Sequence, residues 1–227
     1  MQVRLKGLAR AVLGVCCILV GCSEEPHFEL TASAKKQFSI LPGKIGVSLD
    51  SDTRKWQFVI QKGELSLVAA LPEAPKEATH LGIEPFEGAP GLPIPTGYLY
   101  RGPYSISPDK QHVIASLRKQ TSFGFAPDAF VIMDLTTRKA ITQIIPTGKY
   151  APSGFAWSAD SRSIAVLMGR QRFWWWHPYE LLRLIASHPI SRMEFRLDVI
   201  DLTGSTIAQA KLVDNLANVS GEVIWTE

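Results

Sequence analysis

The chain has 227 residues, of which 24 are Lys or Arg and 21 are Asp or Glu, for a formal charge of +3. With 46% hydrophobic residues it can bury a core, which excludes an intrinsically disordered chain. So small a net charge also excludes the strong basic field of a nucleic-acid binder, and no nucleic-acid partner is expected.

Arg4, Lys6 and Arg10 make the N-terminus positive, Ala11 to Val20 is apolar apart from Gly14, and Leu19-Val20-Gly21-Cys22 follows. A charged segment, a short apolar run and small residues at a cut describe a secretory signal. An apolar run of roughly ten residues is too short to remain as a membrane-spanning helix, which needs about 20. The last four residues resemble the lipobox of bacterial lipoproteins. The resemblance implies that residues 1–21 are removed, that Cys22 carries a diacylglycerol thioether, and that the protein resides in the cell envelope. The Ser23 that follows favours, in that family, the outer membrane facing the periplasm. The membrane is then a partner through the lipid on Cys22, with about 0.8 kcal/mol of anchoring per buried methylene. Cleavage also removes Cys16 and Cys17, so no disulfide or thiolate metal site is expected. Losing three cations lowers the basic count to 21, equal to the acidic count.

The mature chain divides by composition. Residues 22–37, the lipidated Cys and a polar stretch without clear period, read as a tether; residues 38–227 read as a β-rich domain. Ile45-Gly-Val47, Trp56 to Ile60 and Leu65 to Val68 are strand-like, and Lys62-Gly63 fits a tight turn between the last two. Leu71 to Pro103 contains seven prolines, and Pro lacks an amide donor, so a long loop without a central strand is expected there.

The second half repeats itself. Tyr104-Ser-Ile-Ser-Pro-Asp109 followed by Val113-Ile-Ala matches Phe155-Ala-Trp-Ser-Ala-Asp160 followed by Ile164-Ala-Val. Val131-Ile-Met-Asp-Leu-Thr136 matches Asp198-Val-Ile-Asp-Leu-Thr203. Ser and Asp favour turns that bond their own backbone, and the β-branched runs pair as antiparallel strands. Each unit reads as four antiparallel strands, the fourth being Ala140 to Ile145 in one unit and Thr206 to Leu212 in the other. The pattern resembles the TolB-like, WD40-like β-propeller repeat, whose signature is an apolar strand, Ser-Pro-Asp-Gly, then a second apolar strand. Lys110 and Ser161 stand where that family has Gly. Ser48-Leu49-Asp50 reads as a degenerate third copy. Gly221-Glu-Val-Ile-Trp225-Thr226 resembles the opening of a further unit, like Gly154-Phe-Ala-Trp157-Ser158. The expected fold is all-β, a partial or small propeller of antiparallel four-stranded units with one short helical insertion. A closed ring would need the last strand to complete the first unit.

The two units differ in one place. Asp109 and Asp160 are 51 residues apart and Asp134 and Asp201 are 67 apart, so the second unit holds about 16 extra residues. The insertion lies at about 169–196, between the second and third strands. Pro178 and Glu180 suit a helix start, with Leu181, Leu182, Leu184 and Ile185 as its apolar face. Phe173-Trp174-Trp175-Trp176 is a run of four aromatics beside Arg170 and Arg172, and no strand or helix can hide all four on one face. The run reads either as a plug over the sheets or as a contact surface. For the second reading the contact residues are Arg172, Phe173, Trp174, Trp175, Trp176 and Tyr179, since Trp, Tyr and Arg are favoured at binding hot spots and Trp at lipid headgroups.

Residues for chemistry are sparse. His27, His80, His112, His177 and His188 lack the spacing of a zinc pair, and neither a nucleophile elbow nor a Walker loop is present. Asp50 and Asp52 read as turn residues, as do Asp109 and Asp160. No catalytic residue, cofactor or metal is expected. The sequence therefore favours a lipid-anchored, non-enzymatic protein that binds or scaffolds an envelope protein. An immunity lipoprotein against a secreted toxin fits the same residues. A propeller-borne envelope hydrolase or lyase is the alternative, needing polar side chains converging from several units.

Overall fold

The structure, a computed structural model, describes residues 28–51, 54–73, 98–119, 128–172, 192–217 and 219–227. After a helix α1 (Ala32–Ser39), twelve strands follow: β1 (Lys44–Ser51), β2 (Lys55–Gln61), β3 (Glu64–Leu67), β4 (Tyr98–Ile106), β5 (His112–Lys119), β6 (Asp128–Asp134), β7 (Lys139–Ile144), β8 (Ala151–Trp157), β9 (Ser163–Arg172), β10 (Arg192–Asp201), β11 (Thr206–Ala217) and β12 (Val219–Thr226). They form three four-stranded antiparallel sheets in the orders β12-β1-β2-β3, β4-β5-β6-β7 and β8-β9-β10-β11. The all-β, propeller-like arrangement expected from the repeat is the arrangement found.

The last strand does complete the first sheet. β12 pairs with β1 from Lys44 opposite Thr226 to Ser51 opposite Val219. The indole of Trp225 donates to the Pro42 carbonyl at 2.9 Å, as the indole of Trp157 donates to the Ser105 carbonyl at 3.1 Å. Gly43 makes room for this closure: its φ is +73°, and a Cβ there would stand 2.2 Å from the Thr226 carbonyl oxygen. The Gly221–Thr226 segment therefore corresponds to β8, as its sequence suggests. Ser48-Leu49-Asp50 does not correspond to the Ser-x-Asp turns, because it lies inside β1, where Leu49 is buried and Ser48 and Asp50 fall on the opposite face. The hairpin after it is held instead by Ser51, whose backbone amide and side chain both bond Arg54.

The two true Ser-x-Asp turns are built alike. Ser107 Oγ accepts from the His112 amide at 2.9 Å, and Ser158 Oγ from the Ser163 amide at 2.9 Å. Asp109 accepts from the Gln111 amide and Asp160 from the Arg162 amide. Hydrogen bonds from the serine and the backbone hold Asp160 below the usual carboxylate range; at Asp109 similar bonds outweigh burial. Lys110 and Ser161 adopt φ of +59°, which explains why the resembled family prefers Gly there. The repeated Asp-Leu-Thr segments are also turns, with Asp134 accepting from the Thr136 and Thr137 amides and Asp201 from those of Thr203 and Ser205.

The β8–β11 sheet is the middle layer. Along β9, Ala165 and Leu167 join Val47, Leu49, Phe58 and Val223 of the first sheet, while Ile164, Val166 and Met168 join Ile114, Phe130 and Ile132 of the second. A strand buried on both faces reads as an unbroken apolar run, as Ile164 to Met168 does. The inner strands approach closely, and a Cβ at Gly221 would meet Leu167 at 2.6 Å.

Three expectations need correction. Residues 30–37, expected to belong to a tether, are part of the folded domain. Thr31 caps α1 by accepting from the Ala34 amide, and Leu30, Ala34 and Phe38 are buried in the main core. The helix escapes notice because only Ala34 and Phe38 carry its apolar face while Lys35, Lys36 and Gln37 are exposed. It lies along the first sheet and over β11, where Gln37 accepts from the Gln209 amide. Second, Pro103 stands within β4. It is tolerated because β4 ends its sheet and its register with β5 shifts between Tyr100 and Tyr104; Pro152 sits beside a similar shift in β8. Third, residues 169–172 and 192–196 belong to paired strands and not to the insertion, whose helix and aromatic run lie outside the described residues.

Lys110→Gly should raise stability by about 0.5–1 kcal/mol, since a side chain is strained at positive φ. Ser161→Gly should gain less, because Ser161 Oγ accepts from the Asp109 amide at 3.1 Å. Urea denaturation of the two variants checks the difference.

Candidate functional site

On β10, Arg196 and Asp198 alternate with Phe195, Leu197 and Val199. Alternation in a strand ordinarily marks one wet face. Here the polar face is covered as well: Glu194 is 3% exposed and Asp198 4%. The residue that covers it is Tyr150, which enters β8 from the single helical turn Thr147–Lys149 and is itself buried.

The geometry is tightly coupled. Glu194 accepts from the Tyr150 hydroxyl at 2.5 Å and from Arg170 at 2.5 Å, and Lys211 Nζ stands 3.6 Å away. Arg170 also donates to the Gly148 carbonyl at 3.2 Å. Arg196 donates to Asp198 at 2.8 Å. The guanidinium carbons of Arg170 and Arg196 lie 4.7 and 4.3 Å from the Tyr150 ring centroid. Contacts of this kind draw a cation to the ring face. Together they tie the 147–150 turn to β9, β10 and β11.

Protonation states follow from these contacts. Burial and the Glu194 carboxylate push Tyr150 up to about 12. Burial alone would raise Glu194, but the hydrogen bonds from Tyr150 and Arg170 and the charges of Arg170 and Lys211 outweigh it, and its pKa falls to about 2. Burial raises Asp198 above the usual range despite Arg196. Near neutral pH Tyr150 thus keeps its proton and Glu194 lacks one. General acid–base catalysis works best with a pKa near the working pH, and both groups are shifted away from it by contacts that hold the turn to the strands.

The cluster lies at the base of the insertion. β8 reaches β9 as far as Gly169, yet β9 and β10 stay paired for three more residues, to Arg172 opposite Arg192. Of the residues singled out from sequence, Arg172 ends β9. Cys22, Phe173, Trp174, Trp175, Trp176 and Tyr179 lie outside the described residues, as do Asp52, His27, His80, His177 and His188. His112 is described, with its ring stacked on Trp157 at 6.2 Å and 3.9 Å from Asp109. Asp50 stands 3.7 Å from Lys55. Sequence reasoning passed over Tyr150, Glu194, Arg196, Asp198 and Lys211. The Arg-x-Glu-x-Arg-x-Asp alternation from Arg192 signals Glu194, Arg196 and Asp198 but looks like a solvated strand face, and no signal marks Tyr150 or Lys211.

Among the described residues, no group of three His, Cys, Asp or Glu side chains is placed to hold a metal, and no helix is long and apolar enough to cross a membrane. A depression of about 480 Å³ on the first sheet is lined by Lys44, Val59, Gln61, Glu64 and Ser66, among others. It has ligand-pocket size, but its lining holds one carboxylate and no histidine, short of the paired groups a hydrolase or lyase would use. Comparison with protein-family models and with curated proteins finds no match to this chain.

Glu194→Gln should cost about 2–3 kcal/mol, because it removes the charged acceptor of two buried bonds. The pH dependence has a definite sign. A carboxyl lowered from 4.5 to about 2 contributes stability that is complete above 4.5 and is lost as pH falls toward 2. The variant should lack that part of the acid limb, and denaturation midpoints between pH 5 and pH 2 measure it.

Proposed function

We propose that the chain is a lipid-anchored protein of the cell envelope, held through Cys22, that binds or scaffolds another envelope protein without catalysing a reaction. Arg172, Phe173, Trp174, Trp175, Trp176 and Tyr179 are its contact residues. The observation that carries this reading is the base of the insertion. The β9–β10 ladder runs three pairs beyond β8 and is fixed from below by Glu194, Tyr150, Arg170 and Lys211. Binding loops held on a rigid scaffold lose less entropy on association, which favours function at such a place. The lipobox resemblance of Leu19 to Cys22 supports the anchor, and the outer membrane facing the periplasm is its proposed location.

Two measurements test it. Full-length protein with a C-terminal tag, crosslinked in intact cells of its own host, should capture a specific envelope or toxin protein. Capture should be lost when Trp174, Trp175 and Trp176 become Ala in a variant that still folds. An unchanged set of captured proteins would remove the insertion from the binding role. Cys22→Ser should abolish labelling by radioactive palmitate; retained labelling would place the lipid elsewhere.

A further inference from the structure

The depression on the first sheet lies on the face turned away from the core. Ile45, Val47, Phe58, Ile60 and Leu65 pack inward, so Lys44, Gly46, Val59, Gln61, Glu64 and Ser66 stand on the other side. The register sets Lys44 beside Gln61 and Gln61 beside Glu64, one row across β1, β2 and β3. In the next row of that face Val59 lies between Gly46 and Ser66. After β3 the chain turns back over the sheet. Val68 still donates its amide to the Gln57 carbonyl at 2.9 Å, and Leu71 then comes down on Gly46, where a Cβ would stand 3.0 Å from the Leu71 side chain. Glycine at this position lets the returning segment approach so closely. The space of about 480 Å³ is thus lined by a polar row, by Val59, and by a wall of Val68, Leu71 and Pro72.

The fold does not use the two charges of this row. Among the described residues, the side chains of Lys44, Gln61 and Glu64 make no hydrogen bond or ion pair. At the other end of the same face Asp50 and Lys55, opposite each other in the register, pair at 3.7 Å. Lys44 and Glu64 are instead held apart by the strand between them. Strands lie about 4.8 Å apart and side chains rise nearly perpendicular to a sheet, so these two charges are roughly 9.5 Å apart. An ammonium–carboxylate hydrogen bond at each end takes about 2.8 Å, which leaves about 4 Å between the two charges of a bridging ligand. An α-amino acid carries its ammonium and carboxylate on one carbon and fits that gap. Each further residue adds about 3.5 Å, so the termini of a dipeptide are too far apart.

We infer that the depression binds a free α-amino acid with an apolar side chain, its carboxylate on Lys44, its ammonium on Glu64 and its side chain on Val59 against Val68 and Leu71. Gln61, between the two charges, offers a donor and an acceptor to the same groups. The polar row fixes orientation and the apolar wall selects the side chain, a division found in small-ligand sites generally. Glu64 is exposed and Lys44 half-buried, so water screens both contacts and the affinity is modest. The site is formed by β1, β2, β3 and the segment after them, so it is independent of lipid on Cys22 and of the insertion.

The test uses full-length protein purified in detergent and dialysed free of amino acids. L-Leucine, L-valine and L-phenylalanine are titrated in turn at millimolar concentration, with the heat of binding as readout. At least one of them should bind. Its N-acetyl and amide derivatives, which each lack one charge, should bind about five- to tenfold more weakly. Lys44→Met and Glu64→Gln, checked for native circular dichroism, should each weaken binding by a similar factor. Lys55→Gln, on the same face, should leave it unchanged. Absence of heat with all three amino acids, or equal affinity for the derivatives and in the Lys44 and Glu64 variants, overturns the site. Tighter binding of L-leucyl-L-leucine than of L-leucine overturns the amino-acid assignment. None of these results alters the outcome of the crosslinking or palmitate measurements.

Discussion

The fold depends on one pairing, β12 against β1. Lys44 and Thr226 stand opposite each other although 182 residues separate them. Without β12 the first sheet would present β1, buried along most of its length, as a bare edge. The pairing also places Val223 and Trp225 in the core shared by the first and third sheets. The middle sheet can bury both faces of β9 only because the first sheet is complete beside it. The close approach at Gly221 belongs to the same arrangement: any side chain there would displace Leu167.

The repeat chemistry was legible in the sequence because it is local. A serine, an aspartate two residues on and the amides within five residues make each turn by themselves, so their spacing survives in the letters. Asp-Leu-Thr is legible for the same reason. Ser48-Leu49-Asp50 has the same letters but sits within a strand, and only the pairing of β1 with two neighbours decides that. The corresponding turn position in the first sheet is where Trp225 and Thr226 meet Pro42 and Gly43, so no local motif could mark it.

The charged cluster was hidden for a different reason. Arg-x-Glu-x-Arg-x-Asp satisfies the pattern of a strand with one wet face, and nothing near it in sequence foretells a tyrosine laid over that face. Tyr150 comes from 44 residues before Glu194, and the other partners of Glu194, Arg170 on β9 and Lys211 on β11, come from either side. The helix is not legible because an apolar face of Ala34 and Phe38 alone is too sparse to stand out against lysines and glutamine. In both cases burial is decided by elements that meet only after folding, whereas the insertion was visible as a difference in length between two copies of one pattern.

Helix α1 precedes the sheets as the first element among the described residues, and Gln37 occupies a backbone donor on the outer edge of β11. If the chain is held through Cys22, as proposed, this order has a mechanical meaning. A pull on the domain loads Phe28 and α1 before it loads any strand, and the helix can peel from the sheets a contact at a time, whereas β1 is clamped along its whole length between β2 and β12. Under that proposed anchor the helix would act as a fuse, yielding before the strands and uncovering the β11 edge while the three sheets stay closed.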